Sequence, residues 1–399
     1  MLILRRNGRI FITGNTGKTT VTKVILNIYA KYDRDNFILC ALSGRASSVL
    51  GESSGYPHCA NTIHRTLGRD KGTGGWGLNY FNKFPKSLDV LIIDEISMVD
   101  YFLLYSILAP VNEGVKIIIL GDSYQLPSLS FGKPIETLQM FNINVNELTQ
   151  VMRQSEDSYI LAVANDIRVG KNPFENTKYK WMGVDTEVCI GDSYNYMIKS
   201  FVEKFKENPD STIVATTTKA HTDRINFDIQ KMLISEGLLK ETKDMITKPS
   251  STKGEMYKIY IGDYIMILKN NYNCTLYTGK DRNDFYIDEV FENAETPMGD
   301  EASVFNGEIY KVKDIFDKHI IITDGEIDVI VEHQFLDCQL AYASNVHKLQ
   351  GSTVQNVFVY TTSSFVDRKM ITSREWLYTA VTRSKKLLCI HTDEYTNLS

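Results

Sequence analysis

Three apolar runs in the first 125 residues each stop at a polar cluster, and this repetition constrains the fold more than any other feature of the chain. Arg9–Thr13 leads into Gly14-Asn15-Thr16-Gly17-Lys18-Thr19-Thr20, Val90–Asp94 closes on Asp94-Glu95, and Val115–Leu120 leads into Gly121-Asp122-Ser123-Tyr124-Gln125. Aliphatic runs without polar alternation fit strands buried on both faces, and such strands alternating with helices build a parallel α/β sheet. Helical patterns lie between them: Val21, Val24, Ile25 and Ile28 follow the first run, and Arg45–Leu50 follows a further strand at Phe37–Leu42. Open α/β sheets bind ligands beyond the carboxyl ends of their strands, so the three clusters are expected along one sheet edge.

The rest of the chain divides by texture. A helix is expected over Ser158–Arg168, followed by a less patterned segment to about Glu207. A second α/β unit opens with a strand at Thr212–Thr216 and a helix at Ala220–Ile234. Between about 250 and 340, short strands (Tyr257–Tyr260, Tyr264–Leu268, Ile309–Val312, Ile327–Val331) separated by turn residues suggest a small β-barrel. The tail returns to α/β, with strands at Val357–Tyr360 and Leu387–Ile390 around a helix at Glu375–Arg383. The Gly-rich stretch 69–84, holding Trp76 and Phe81, has no core periodicity and reads as a protruding loop or short hairpin. The expected organisation is two parallel-sheet domains, 1–155 and 156–249 joined with 336–399, and an inserted barrel at 250–335.

Composition narrows the class. With 399 residues, 43% hydrophobic and 23% charged, the chain can bury more than one core, which excludes disordered and disulfide-scaffold proteins. No apolar run approaches the roughly 18 residues a membrane span needs, and Arg5, Arg6 and Arg9 make the N-terminus a poor signal peptide. Six scattered cysteines without a CxxC fit free thiols in a reducing compartment, so a cytoplasmic protein is expected. Lys and Arg number 44 against 49 Asp and Glu, a net charge of −5. That balance argues against non-specific coating of nucleic acid, though not against a channel whose basic residues face inward.

The clusters suit phosphate chemistry. A Gly-Lys-Thr turn between strand and helix offers backbone amides and a helix N-terminus to phosphate oxygens; Lys18 would pair with the outer phosphates and Thr19 would hold Mg²⁺. The motif is short by about two residues, because Ile12 stands where its first glycine belongs and Gly14 is the nearest substitute. Asp94 can hold a metal shell, Glu95 can polarise water, and Gln125 can contact a terminal phosphate. Arg153, in LTQVMRQ, and Arg383, in LYTAVTRSKK, could stabilise charge on a transferring phosphoryl group.

In conjunction, the strings GNTGKTT, LSGRASSVL, TIHRTLG, LIIDEISMVD, LGDSYQLPS, LTQVMRQ, VFNGE, LAYASNVHKLQGST and LYTAVTRSKK resemble, in family order, the superfamily 1 helicases of the RecD-like branch. The resemblance covers nearly the whole chain. It implies two RecA-like motor domains with ATP and Mg²⁺ between them, single-stranded DNA across their top, and 5′→3′ travel. Lys18, Asp94, Glu95, Gln125, Arg153 and Arg383 match its catalytic positions, and Thr19 and Asp94 its metal positions. Gly14 through Thr20, with Gln350 and Gly351, match its nucleotide-binding segments. Ser43, Gly44, Arg45, Thr62, His64, Thr217, His347 and Lys348 match segments that face DNA, and Trp76 or Phe81 falls where the family carries a strand-separating pin. The implied partners are single-stranded and forked duplex DNA, together with single-strand-binding or replisome proteins, for a monomer acting in replication, recombination or repair. The family's upstream adenine-reading segment has no counterpart before Lys18, which implies either relaxed nucleotide choice or a missing start of the chain. The alternative reading is an ATPase-deficient single-stranded-DNA-binding protein with a degenerate phosphate loop.

Overall fold

The computed structural model describes residues 9–13, 17–68, 83–128, 130, 132–140, 145–148, 158–171, 187–191, 194–240, 246–249, 256–277, 301–361 and 373–392. Gly14, Asn15, Thr16, Arg153 and the insertion carrying Trp76 and Phe81 lie outside them.

The first sheet has six parallel strands in the order Ala60–Thr62, Phe37–Ala41, Val90–Ile93, Lys116–Gly121, Arg9–Thr13, Val145–Glu147. Its central strands are buried throughout, as VLII and IIILG require when helices cover both faces. One face packs Ile93, Ile117 and Ile119 against Leu103 and Ile107, and the other packs Ile92, Ile118 and Leu120 against Leu26 and Leu50. Because the strands are parallel, their carboxyl ends share one edge, and that edge carries Lys18, Asp94, Glu95 and Gln125.

The second sheet has five parallel strands in the order Ala343–Asn345, Thr212–Thr216, Val354–Thr361, Ser384–Thr392, Glu187–Gly191. The helix Tyr194–Glu207 covers one face; it buries Met197, Ile198, Phe201, Val202 and Phe205 at helical spacing and turns Lys199, Glu203 and Lys206 outward. Phe201 is fully buried between Phe205 and Phe358, with ring centroids 5.6 and 5.5 Å away. Burying such a side chain stabilises by roughly 2–3 kcal/mol. The other face packs against helices Tyr159–Arg168 and Ser373–Val381.

Strands from Tyr264 to Leu340 form a seven-stranded antiparallel sheet, next to a two-stranded ribbon of Ile246–Pro249 and Met256–Ile259. In Ile309–Ile315 the exposed Lys311 and Lys313 alternate with the buried Tyr310 and Val312, the mark of a sheet with one wet face. The inner face is continuous with the core under the second parallel sheet, where Tyr264 and Tyr342 meet Phe205 edge-on. Among the described residues no helix is long and apolar enough to cross a membrane.

Candidate nucleotide cleft and strand-facing edge

The cleft is built from strand ends. Gly17 closes the first loop at φ 84°, a left-handed conformation that favours glycine, and the helix Lys18–Ala30 begins at the next residue. Lys18 is buried in the first turn, beside amides that have no intrahelical partner, whereas Thr20 is exposed. After Val90–Ile93 the chain turns sharply: Glu95 sits at φ 52° and ψ 44°, strain of about 1–2 kcal/mol for a residue with a side chain. Asp94 Oδ1 accepts the Glu95 backbone N–H at 2.7 Å and holds that turn. Beneath it Cys40 is fully buried, and burial together with the Asp94 charge pushes its thiol far up, which keeps it neutral.

Lys18, Asp94, Glu95 and Gln125 from the first sheet line one narrow cavity with Gly351, Ser352, Thr353 and Arg383 from the second. Gln350, at the start of the same second-sheet segment, is also buried. Glu95 Oε2, Gln125 Oε1 and Gln350 Oε1 are buried without a hydrogen-bond partner. Unsatisfied buried oxygens are costly, so three of them in and beside one cleft fit the polar lining for a ligand and its water. Arg383 is buried; its Nε donates to Thr379 O and its Nη1 to Ser352 O, both at 3.0 Å, which orients the guanidinium. The residues present thus fit a nucleoside triphosphate with its magnesium.

The two parallel sheets meet the cleft by opposite ends. The first offers the carboxyl ends of its strands. The second offers the segments that precede its strands, since Gly351 and Ser352 come before Val354 and Arg383 comes before Ser384.

The carboxyl ends of the second sheet carry another polar group. Asn345 ties it together, donating from Nδ2 to Thr217 O at 3.1 Å and accepting from His347 N at 3.1 Å. Thr217 Oγ1 lies 2.9 Å from His221 Nδ1, and Lys348 Nζ donates to Gln339 Oε1 at 3.3 Å. Burial lowers the pKa of both His347 and Lys348; for Lys348 the nearby Lys219 adds to the effect and Asp223 and Asp337 oppose it.

In the first domain Ser43 follows one strand and Thr62 ends its parallel neighbour, and both act as helix caps, accepting from Ala46 N at 3.1 Å and Arg65 N at 3.2 Å. His64 is half-buried two positions on from the second cap. Arg45 turns toward the antiparallel sheet, where Glu308 faces it; burial lowers its pKa and Glu308 opposes that shift. A Cβ on Gly44 would lie 3.9 Å from Phe305 of the same sheet, so the start of this helix abuts it.

Sequence reasoning missed a set of contacts that binds the two sheets together. Leu126 is buried in the second domain's core with Ile160, Val163, Trp376 and Tyr378. Its N–H donates to Thr379 Oγ1 at 2.9 Å, and its carbonyl accepts from Gln350 Nε2 at 3.1 Å. Tyr378 Oη donates to Asp122 Oδ2 at 3.1 Å, while Asp122 Oδ1 accepts from Tyr124 N at 3.0 Å. No local signal marks these residues, because the partners lie 224 to 256 positions apart.

Two parallel α/β lobes closing on a Lys–carboxylate–Gln–Arg cleft define a two-lobed, RecA-like nucleotide-binding fold. Within that class the chain is similar to the superfamily 1 helicases of the RecD-like branch. Residues 9–184 match the AAA domain family and residues 340–390 the UvrD-like helicase C-terminal domain. The ATP-dependent RecD2 DNA helicase of Deinococcus radiodurans is 27% identical over 94% of this chain, which spans only 46% of that relative. The ATP-dependent DNA helicase dda of Enterobacteria phage T4 is 24% identical over 93% of this chain and 91% of its own length. Among solved structures, Pif1 helicase from Bacteroides in complex with ADP-AlF3 and ssDNA shares the fold, with a TM-score of 0.53, 21% identity, and coverage of 99% of this chain and 90% of that one.

Proposed function

We propose that the chain is an ATP-dependent DNA helicase that moves along single-stranded DNA, 5′→3′, and couples ATP hydrolysis to closure of its two lobes. The observation that carries this reading is the cleft in which Lys18, Glu95 and Gln125 of one lobe meet Arg383 of the other. Relatives described as ATP-dependent DNA helicases, and a structural neighbour solved with single-stranded DNA, support it.

Each residue has a defined task. Lys18 neutralises the outer phosphates, the partnerless Glu95 Oε2 accepts a proton from attacking water, and Gln125 orients that water by accepting through Oε1 or reads the terminal phosphate by donating from Nε2. Arg383 stabilises charge on the phosphoryl oxygens only when the lobes close, which links chemistry to movement. Magnesium, when bound with the nucleotide, neutralises phosphate charge; Asp94 would hold it, and Thr19 and Arg153 keep the metal and arginine roles their sequence positions imply. Ser43–Arg45, Thr62 and His64 on one lobe, and Thr217, His347 and Lys348 on the other, form the strand-facing edge. Grip on a single strand rests on phosphate contacts and base stacking, which tolerate any sequence.

The seven-stranded sheet is read as the inserted barrel that supports the strand's path, and the 69–84 insertion as the pin. Trp76→Ala should then abolish unwinding yet keep DNA-stimulated hydrolysis; equal loss of both would remove the pin assignment. The chain acts as a monomer on single-stranded and forked DNA, with single-strand-binding or replisome proteins as further partners.

The deciding experiment compares ATP hydrolysis with and without single-stranded DNA in wild type and Glu95→Gln. Strong stimulation in wild type, reduced by about 10²–10⁴-fold in the variant, is the expected outcome. DNA binding without hydrolysis in wild type would instead favour a degenerate binding protein.

A further inference from the structure

We propose that Asp122 and Tyr378 are a positioning pair that sets Gln125 against the nucleotide only when the second lobe is docked; this rests on the hydrolysis reading above. The loop 122–126 belongs to the first lobe by sequence, yet three of its fixed points are supplied by the second. Tyr378 Oη holds the Asp122 carboxylate, Thr379 Oγ1 takes the Leu126 N–H, and Gln350 Nε2 takes the Leu126 carbonyl. Gln125 lies between these anchors, 3% exposed, and its Oε1 has no partner.

The two anchors differ in kind. Leu126 is held through its backbone and its apolar side chain, which any opening that keeps the core intact would retain. The Asp122–Tyr378 bond joins a 1% exposed carboxylate to a 3% exposed phenol across the lobes. Asp122 also accepts from Tyr124 N, so a change at the carboxylate passes directly to the backbone next to Gln125. The ring of Tyr124, carried by the first lobe's loop, packs against two side chains of the second lobe, with its centroid 6.1 Å from that of Tyr378 and the Arg168 guanidinium 4.2 Å from its own centroid. Tyr378 and Thr379 sit on the helix Ser373–Val381, which ends just before Arg383, so one helix sets both the arginine and the loop that carries Gln125. Burial and the neighbouring Asp122 charge raise the Tyr378 phenol well above its ordinary range, so it remains a hydrogen-bond donor at all working pH values.

The test is a double-mutant cycle of Tyr378→Phe, Asp122→Asn and the double variant, read by ATP hydrolysis with saturating DNA and by nucleotide-driven lobe closure. Closure is followed by energy transfer between dyes on the two lobes, with ADP and fluoroaluminate as the probe. Each single variant should lower DNA-stimulated kcat by about ten-fold with less than about a two-fold change in KM for ATP, and the double variant should be no worse than either single. The closed fraction should fall in parallel, with melting temperatures near wild type. Multiplicative losses, or wild-type kcat and closure in both single variants, would overturn the pair. Wild-type closure without hydrolysis would instead overturn the hydrolysis reading and leave the pair to be decided by whether Tyr378→Phe lowers the closed fraction.

Discussion

Two carboxylates buried in this molecule live in opposite circumstances. Asp263, fully buried where the antiparallel sheet meets the second lobe, is saturated: Oδ2 accepts from Gln230 Nε2 at 2.7 Å and Tyr260 N at 2.8 Å, and Oδ1 accepts from Tyr342 Oη at 2.5 Å. Glu95, also buried, sits on strained backbone with one oxygen partnerless. A satisfied carboxylate fixes three pieces of chain in register. A partly satisfied one, held in place by a local turn, keeps its lone pairs for something that is not protein. Burial alone does not separate structural from chemical roles; hydrogen-bond completion does.

The sharpest way to break this contrast is at Arg383, which shares the cleft with Glu95. Arg383→Ala should reduce DNA-stimulated hydrolysis by roughly 10³-fold, and Arg383→Lys should not restore it, because a lysine cannot span Thr379 O and Ser352 O and still face the cleft. Steady-state rates decide it; a loss of less than ten-fold would remove the arginine from the chemistry. Asp263→Ala should do the reverse. Three donors lose their acceptor, a destabilisation of roughly 3 kcal/mol visible as a lower urea midpoint, while hydrolysis per folded molecule stays within about two-fold.

Gly351 offers a smaller perturbation of the cleft. It sits at φ 78°, and a Cβ there would lie 2.9 Å from Ala46 Cβ in the opposite lobe. Gly351→Ala should hold the lobes apart, raising KM for ATP by roughly five-fold at a stability cost of about 1 kcal/mol; an unchanged KM would mean that the lobes meet elsewhere. The smallest effect concerns pH. Burial pushes the Asp263 carboxyl up to about 7 against an ordinary 3.8, although its three donors pull the other way. The folded chain therefore binds the proton more readily than the unfolded chain between those values, and this group's stabilisation, present in acid, is lost as pH rises through about 7. The gap in melting temperature between wild type and Asp263→Ala should be wider at pH 5 than at pH 8; a constant gap would contradict the sign.

The central strands of both parallel sheets were legible because, covered on two faces, they are buried and largely aliphatic: Val90–Ile93 and Thr212–Thr216 stand out from residues alone, whereas the short strands Ala60–Thr62 and Ala343–Asn345 do not. Val145–Glu147 left no trace, since all three of its residues are exposed at a sheet edge. The helix Tyr194–Glu207 was obscured by Tyr194 and Tyr196, aromatics on a segment whose apolar period becomes clear only once its partners are known. In the cleft, motif strings pointed to Lys18, Glu95, Gln125 and Arg383, and the fold brings these together. What no string could reveal was the grip on Asp122 and Leu126, because a hydrogen bond across more than 250 positions has no local signature.

The burial of Leu126 has a consequence for taking the molecule apart. A fragment ending near residue 150 would expose that leucine to water, and the complementary fragment would carry a void among Ile160, Val163 and Tyr378 where the side chain belongs. Each half would thus carry a defect whose remedy is the other half. Expressed separately, the two lobes should be poorly soluble alone and should associate on mixing, like the halves of a split reporter.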